Sequence, residues 1–265
     1  MDMKILIKGA GDLATGIGWR LKRAGYRVWM TDLAVPTAVR RTVAFSRAIY
    51  EGEAIVEGVV SCRVSTMKEA EAAEALGKIP VFSDPEAEIR RLWQPEVLVD
   101  AIIAKKNLGT RITDAPLVIG VGPGFTAGAD CHRVVETKRG HYLGRVIEEG
   151  SAIPNTGIPG NVGGYTVERL LRASGSGPFM PRVSIGDYVE KGQTVALSGG
   201  VPVKAQISGI VRGLLQAGVP VTEGMKAGDI DARCESDHCF TISDKARAIG
   251  GGVLEAVAAW EHGVL

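Results

Sequence analysis

Lys4-Ile5-Leu6-Ile7-Lys8-Gly9-Ala10-Gly11-Asp12-Leu13-Ala14 is the stretch on which the fold reading turns. Residues 4–8 form a β-prone run, and two glycines follow at once. From Asp12 to about Ala24, Leu13, Ile17 and Leu21 recur on one face, which predicts an amphipathic helix. Gly25 stands where a C′ glycine stops a helix. Tyr26–Thr31 reads as a second strand ending at Asp32, so residues 4–32 predict a βαβ opening. Gly9, Gly11 and Ala14 match G-x-G-x-x-A, with Gly16 just beyond. Bare amides and the helix dipole at such a turn favour an anion. Asp32 is placed to accept a ribose diol, and its charge opposes a 2′-phosphate, which leans toward NAD-like ligands. Asp12 is a carboxylate inside the turn, unfavourable beside a diphosphate unless it only caps the helix. Gly9, Gly11, Asp12, Ala14, Gly16 and Asp32 are therefore candidate cofactor contacts.

Strands and helices alternate to about residue 121, with helices expected over 35–49, 67–76 and 84–93, and apolar strands at 97–99 and 117–119. That alternation predicts a Rossmann-like parallel sheet with helices on its faces. Gly120 to Gly128 is a second glycine-rich loop, and Gly122 and Gly124 are its candidate ligand contacts. Ligands of open parallel sheets bind beyond the carboxyl ends of strands, so both glycine loops and Asp100 are expected to line one crevice. Asp100 and Lys105 put a carboxylate and an ammonium at the end of a buried strand, as a structural or a functional ion pair. Glu136-Thr-Lys-Arg-Gly-His141, with Arg145 beyond, gathers groups that grip an anion through Arg and move a proton through His. Arg139 and Arg145 are candidate anion contacts; His141, Lys105 and Asp100 are candidate catalytic groups.

Beyond residue 125 the character changes. Residues 151–164 read as loop, 165–173 as helix, 174–178 as hinge, 181–231 as short strands punctuated by glycine, and 243–262 as a last helix capped by Ser243. Gly186-Asp-Tyr-Val-Glu-Lys-Gly-Gln193 and Ser208-Gly-Ile-Val211 resemble the turns of biotinyl/lipoyl-type barrel-sandwich modules. The acceptor lysine of those carriers falls here on Ser198, at a Ser198-Gly199-Gly200 tip, so the fold is expected without biotin or lipoate. The predicted organisation is an α/β chain: a Rossmann-like nucleotide-binding core over 1–175, an all-β barrel-sandwich module over 176–233, and a C-terminal helix over 234–265 that packs back on the core. Gly250-Gly-Gly252 inside that helix predicts close approach of another helix, a ligand or a second subunit, each glycine costing about 1 kcal/mol against alanine.

Composition sets the outer limits. Lys plus Arg is 31 against 30 Asp plus Glu, which gives no global electrostatic case for nucleic acid or an anionic membrane. Hydrophobic residues make 45% and charged residues 23%, which excludes a largely disordered chain. The 35 glycines are roughly twice the usual ~7% share and imply many tight turns. No apolar run reaches the ~18 residues of a membrane span, and no leader pattern opens the sequence, so the expectation is cytoplasmic. Four cysteines are too sparse for a disulfide scaffold. Cys234-Glu-Ser-Asp-His238-Cys239 supplies three metal ligands at most, short of the four of a structural zinc site, so no metal is expected.

Several segments together resemble one family along essentially the whole chain: Lys8–Gly16, Val99–Asn107, Gly122–Gly128, Glu136–His141 and Ile242–Gly252. The chain resembles the YqeB family, accessory proteins of selenium-dependent molybdenum hydroxylase systems, related in role to the XdhC/CoxI maturation factors of xanthine dehydrogenase-like enzymes. The resemblance implies a part in preparing, modifying or delivering a molybdopterin cofactor, with the hydroxylase apoprotein or its cofactor as partner. It assigns no catalytic residue. Beside this reading stand two others: an NAD-dependent oxidoreductase using His141 or Lys105, and a non-catalytic chaperone docking on the hydroxylase.

Overall fold

The computed structural model describes residues 2–264, which divide into two compact units. Beside the expected divisions at 175/176 and 233/234, the units part elsewhere: of the described residues, unit 1 comprises 2–36, 44–156 and 242–264, and unit 2 comprises 37–43 and 157–241.

Unit 1 is built on β1 (Lys4–Lys8), β2 (Arg27–Asp32), β3 (Glu53–Val56), β4 (Val59–Val64), β5 (Ile79–Ser83), β6 (Val97–Asp100), β7 (Leu117–Val121), β8 (Thr126–Ala127), β9 (Arg133–Val135), β10 (Val146–Ile147) and β11 (Gly150–Ser151). Its helices are α1 (Asp12–Arg23), α2 (Arg47–Glu51), α3 (Met67–Ala75), α4 (Arg90–Trp93) and α5 (Asp244–Glu261). Nine strands form one sheet in the order β10-β9-β7-β6-β1-β2-β5-β4-β3, and β8 pairs separately with β11. The expected Rossmann-like parallel core is corrected here, because the sheet is mixed. Its interior is parallel, but β3 runs antiparallel to β4, and β10 antiparallel to β9. The first reversal has a local cause. Glu57 and Gly58 both take positive φ (43° and 80°), the two-residue turn that matches strand twist in a hairpin. No helix links β6 to β7 or β7 to β9, so the regular βα alternation ends at β6.

One face of the sheet, with Leu6, Trp29, Leu98, Val118 and Val134, packs on Ala70 and Ala73 of α3 and on Trp93, which stacks 4.0 Å from Trp29. The other face carries α1 and α5: Gly18 lies against Ile7 and Met30, and Gly252 against Val135. Gly250-Gly-Gly252 serves this packing. A Cβ on Gly250 would lie 2.8 Å from the Gly16 carbonyl, and one on Gly252 would lie 2.0 Å from the Gly144 carbonyl. The close neighbours are therefore α1 and the chain before β10. The expected helix over 35–49 is reduced to a 3-10 turn at Arg41–Val43 and the short α2.

Unit 2 holds β12 (Leu170–Arg172), β13 (Gly177–Pro181), β14 (Tyr188–Val189), β15 (Thr194–Ser198), β16 (Val201–Lys204), β17 (Gly209–Leu214), β18 (Pro220–Val221) and β19 (Lys226–Asp231). They make two antiparallel four-stranded sheets, β12-β19-β17-β14 and β16-β15-β13-β18. The expected biotinyl/lipoyl-like barrel-sandwich module is corrected with the fold class. The predicted helix at 165–173 is instead bends and turns over 166–169 followed by strand β12, bound to β19, where Arg169 pairs with the buried Asp229 and Leu170 and Leu171 are both buried. The hairpin tip does not project as a carrier tip does. The Ser198 hydroxyl is fully buried and accepts the Ser174 and Gly175 N–H groups (2.8 and 3.1 Å), and Gly199 is pressed on the Ser176 carbonyl. Arg212, Arg233 and Asp231 form a further ion-pair group, with the Arg233 fork on Asp231 at 2.9 and 2.6 Å.

Candidate anion-binding crevice

The turn after β1 is held by its own backbone and by Asp32. Gly9 has φ 104°, and a Cβ there would lie 2.9 Å from the Ala101 carbonyl, so only glycine fits. The Asp32 carboxylate accepts the Ala10 and Leu33 N–H groups, each at 2.7 Å. Burial pushes its pKa up, while those two amides pull it down. The carboxylate expected to meet a ribose thus braces the glycine turn. The Ala10 carbonyl is likewise engaged, by the Ser46 N–H at 2.9 Å and the Thr15 hydroxyl at 3.3 Å. Gly11 is the N-cap of α1, and no side chain caps that helix. Ala14 is buried. Gly16 serves packing, since a Cβ there would fall 2.7 Å from the Ala246 Cβ.

Residues 101–107 run between the two glycine loops. Gly9 touches this segment at Ala101 and Ile102; Gly124, with φ 108°, touches it at Lys106, 2.5 Å from the Lys106 Cα to a built Cβ. Gly122 packs on Thr137, whose hydroxyl would lie 2.7 Å from an added Cβ. The strand ends therefore bring both loops to one backbone segment. That segment is strained: Ile103 and Lys105 have φ of 60° and 65°, a region that L side chains rarely enter. Asn107 pins its far end, accepting the Gly109 and Thr110 N–H groups at 2.9 Å each and donating to the Thr110 carbonyl. Asp100 is buried and accepts the Thr110 hydroxyl at 2.6 Å. Burial raises its pKa, against Thr110, the Ile102 amide and the Lys8 charge. Asp100 thus holds the segment in place through Thr110 and the Ile102 amide, and the Lys8 charge acts on it.

Sequence reasoning missed Lys245, in the first turn of α5. Burial pushes its ammonium below the usual lysine range; Arg139 and Lys105 push the same way, while Asp12 and Glu136 oppose them. Lys105 and Arg139 thus both act on the Lys245 charge, and Asp12, at the start of α1, opposes them. The Arg139 fork is bidentate on Asp244 at 2.5 and 2.9 Å, which ties the 136–145 loop to the start of α5. The available signal was position: Ser243 caps α5, accepting the Ala246 N–H at 3.2 Å, and a lysine inside such a first turn runs against the helix dipole.

Glu136 is buried and wholly used by the chain. Its oxygens accept the Thr137 and Lys138 amides at 2.7 Å each and the Ile153 amide at 2.8 Å. His141 is exposed and meets Tyr142 edge-on at 5.0 Å, and the Arg145 guanidinium lies 5.5 Å from the Tyr142 ring centroid. Arg145, Tyr142 and Glu136 line a cavity of about 640 Å3 that also includes Glu148, Glu149, Ser151 and Ile153. The sequence therefore grouped Arg139, His141 and Arg145, but the fold sends Arg139 to α5 and Arg145 to this cavity. His132 braces the sheet, its Nδ1 accepting the Val118 N–H at 2.9 Å, and burial lowers its pKa. Burial pushes the Cys131 thiol up to about 11. Cys234 is exposed and Cys239 buried, and among the described residues no three His, Cys, Asp or Glu side chains are grouped to hold a metal ion. No helix among them is long and apolar enough to cross a membrane.

The chain is 48% identical over 258 residues, 97% of its length, to the uncharacterized protein YqeB of Escherichia coli (strain K12), and spans about half (48%) of that protein. No protein-family model matches it. Among solved structures, it is similar to an aspartoacylase family protein from Mesorhizobium loti (11% identity, 87% of this chain and 85% of that one, TM-score 0.26). It is also similar to a succinylglutamate desuccinylase/aspartoacylase from Rhodobacter sphaeroides (13% identity, 86% and 85%, TM-score 0.25). Likeness at those scores is too slight to transfer chemistry.

Proposed function

With the match to YqeB supporting the YqeB family for this chain, we propose that it is an accessory protein of a molybdenum hydroxylase system that holds a phosphorylated, nucleotide- or molybdopterin-type cofactor. One observation carries the reading. Lys105, Arg139 and Lys245 gather beside the uncapped first turn of α1, where the glycine loops meet the strained 101–107 segment. Three cations and a helix N-terminus are matched to a phosphate or diphosphate. A bound anion would offset the cations that disfavour the Lys245 charge, beyond what Asp12 and Glu136 supply at Lys245 and Asp244 supplies at Arg139. The NAD-dependent oxidoreductase reading is weaker, because it leaned on Asp32 as diol acceptor and that carboxylate already receives two backbone amides. The selenium link and the maturation role rest on the family resemblance alone.

Calorimetric titration of the full chain with pyrophosphate, NAD and a molybdopterin dinucleotide tests the proposal. Binding of pyrophosphate and the dinucleotide is expected, weakened at least tenfold by Lys245→Met. Absence of heat with all three, or a Lys245→Met protein that binds as well as the parent, would sink it.

A further inference from the structure

The 640 Å3 cavity of unit 1 has walls of three chemistries. Its flat side is Tyr142, half exposed, with the Arg145 guanidinium 5.5 Å from the ring centroid. A turn fixes that pair, because the Arg145 N–H donates to the Tyr142 carbonyl at 3.0 Å and the Arg145 carbonyl accepts the Glu136 N–H at 3.0 Å. Its apolar side is Val146, Ile147 and Ile153. Its polar side is Glu148 and Glu149, between β10 and β11, with Ser151, whose hydroxyl lies 2.9 Å from that of Thr126. Among the described residues neither the Glu148 nor the Glu149 side chain takes part in a hydrogen bond or ion pair. The third carboxylate, Glu136, is saturated by three backbone amides and has little left for a ligand.

We propose that this cavity binds a planar heterocycle with adjacent N–H donors, a pterin or guanine ring, stacked at Tyr142 and Arg145 and held at its amino edge by Glu148 or Glu149. The volume falls within the ~300–1,000 Å3 of small-molecule sites. Aromatic and guanidinium faces attract flat rings. An ionised carboxylate offers acceptors only, and its two oxygens match two parallel N–H groups. Guanine and pterin present such a pair, the ring N–H beside the exocyclic amine. Adenine and cytosine set a ring lone pair beside the amine, and that lone pair would face a carboxylate oxygen. The inference deepens the proposed function, on which it rests only for identifying the ring as part of a phosphorylated ligand.

The test is fluorescence titration of the full chain with free pterin, and competition by guanosine, adenosine and cytidine, beside calorimetry with pyrophosphate. Pterin and guanosine are expected to bind, with adenosine and cytidine at least tenfold weaker. Tyr142→Ala and the Glu148→Gln/Glu149→Gln double variant should each lose at least tenfold in pterin affinity while keeping the parent circular dichroism. Tyr142→Phe should retain binding. Equal affinity for all four rings, or indifference to the Glu variants, overturns the proposal. Pyrophosphate binding with no ring bound refutes this inference and leaves the phosphate reading intact; ring binding without pyrophosphate does the reverse.

Discussion

A methyl group placed on Gly252 must push α5 away from the chain that precedes β10. The added Cβ would sit 2.0 Å from the Gly144 carbonyl oxygen and 3.0 Å from both the Gly144 carbon and Val135 Cγ1, against roughly 3.5 Å for ordinary contact. The obstacle is backbone, so no rotamer change relieves it. Overpacking costs about 1–3 kcal/mol and sometimes more, while replacing glycine inside a helix returns about 1 kcal/mol. A contact of 2.0 Å on backbone belongs at the upper end, about 3 kcal/mol, so Gly252→Ala should lose about 2 kcal/mol net, or about 4–8 °C in melting temperature for a unit of this size. Gly251, its neighbour in the same helix, has only Arg20 Nη1 nearby, at 3.9 Å, so Gly251→Ala should gain up to about 1 kcal/mol. Gly250→Ala, with the Gly16 carbonyl at 2.8 Å, should fall between the two. All four tryptophans (Trp19, Trp29, Trp93 and Trp260) lie in unit 1, so urea melts followed by tryptophan fluorescence report this unit. A Gly252→Ala protein as stable as the parent, or a Gly251→Ala protein that is less stable, would refute the close packing of α5 on the Gly144 backbone.

Lys245 titrates below the lysine value of 10.5, because burial and the neighbouring cations disfavour its charge. Between the depressed folded value and 10.5 the unfolded chain binds the extra proton, so stability rises with pH across that window. Lys245→Met should remove the rise, which urea melts at several alkaline pH values will show; pyrophosphate affinity should likewise fall as the ammonium deprotonates. Glu136→Ala strands the Thr137, Lys138 and Ile153 amides, at about 1–3 kcal/mol for each buried donor left unpaired. A loss of at least about 3 kcal/mol is expected in the same fluorescence assay, with Glu136→Gln intermediate.

The opening of the chain was legible because its signals are local. The apolar face of α1, the positive φ of Gly25 and the Ser243 cap of α5 depend on residues within a turn or two of each other, and each stands as the sequence predicts. The two glycine loops were legible as turns, and glycine is required there by backbone approach at Ala101 and Lys106. Residues 165–173 read as a helix, yet 170–172 form a strand after bends and turns at 166–169, because pairing with β19 and the Arg169–Asp229 ion pair outweigh a weak local preference. The Arg139, His141 and Arg145 group divides for a similar reason: Arg139 leaves for Asp244 while His141 and Arg145 both meet Tyr142, and sequence proximity says nothing about which way a loop's side chains leave it.

Sequence alone determined where the backbone must bend and which faces must be buried, since φ preferences and hydrophobic period act over a few residues. Tertiary structure decided the antiparallel margins of the sheet, the folded-down Ser198 tip, the use of Asp32 as a brace and the arrival of Lys245 beside α1. Those features come from hydrogen bonds and charges between residues far apart in the chain, whose energies exist only once packing has brought the partners within a few ångströms of one another.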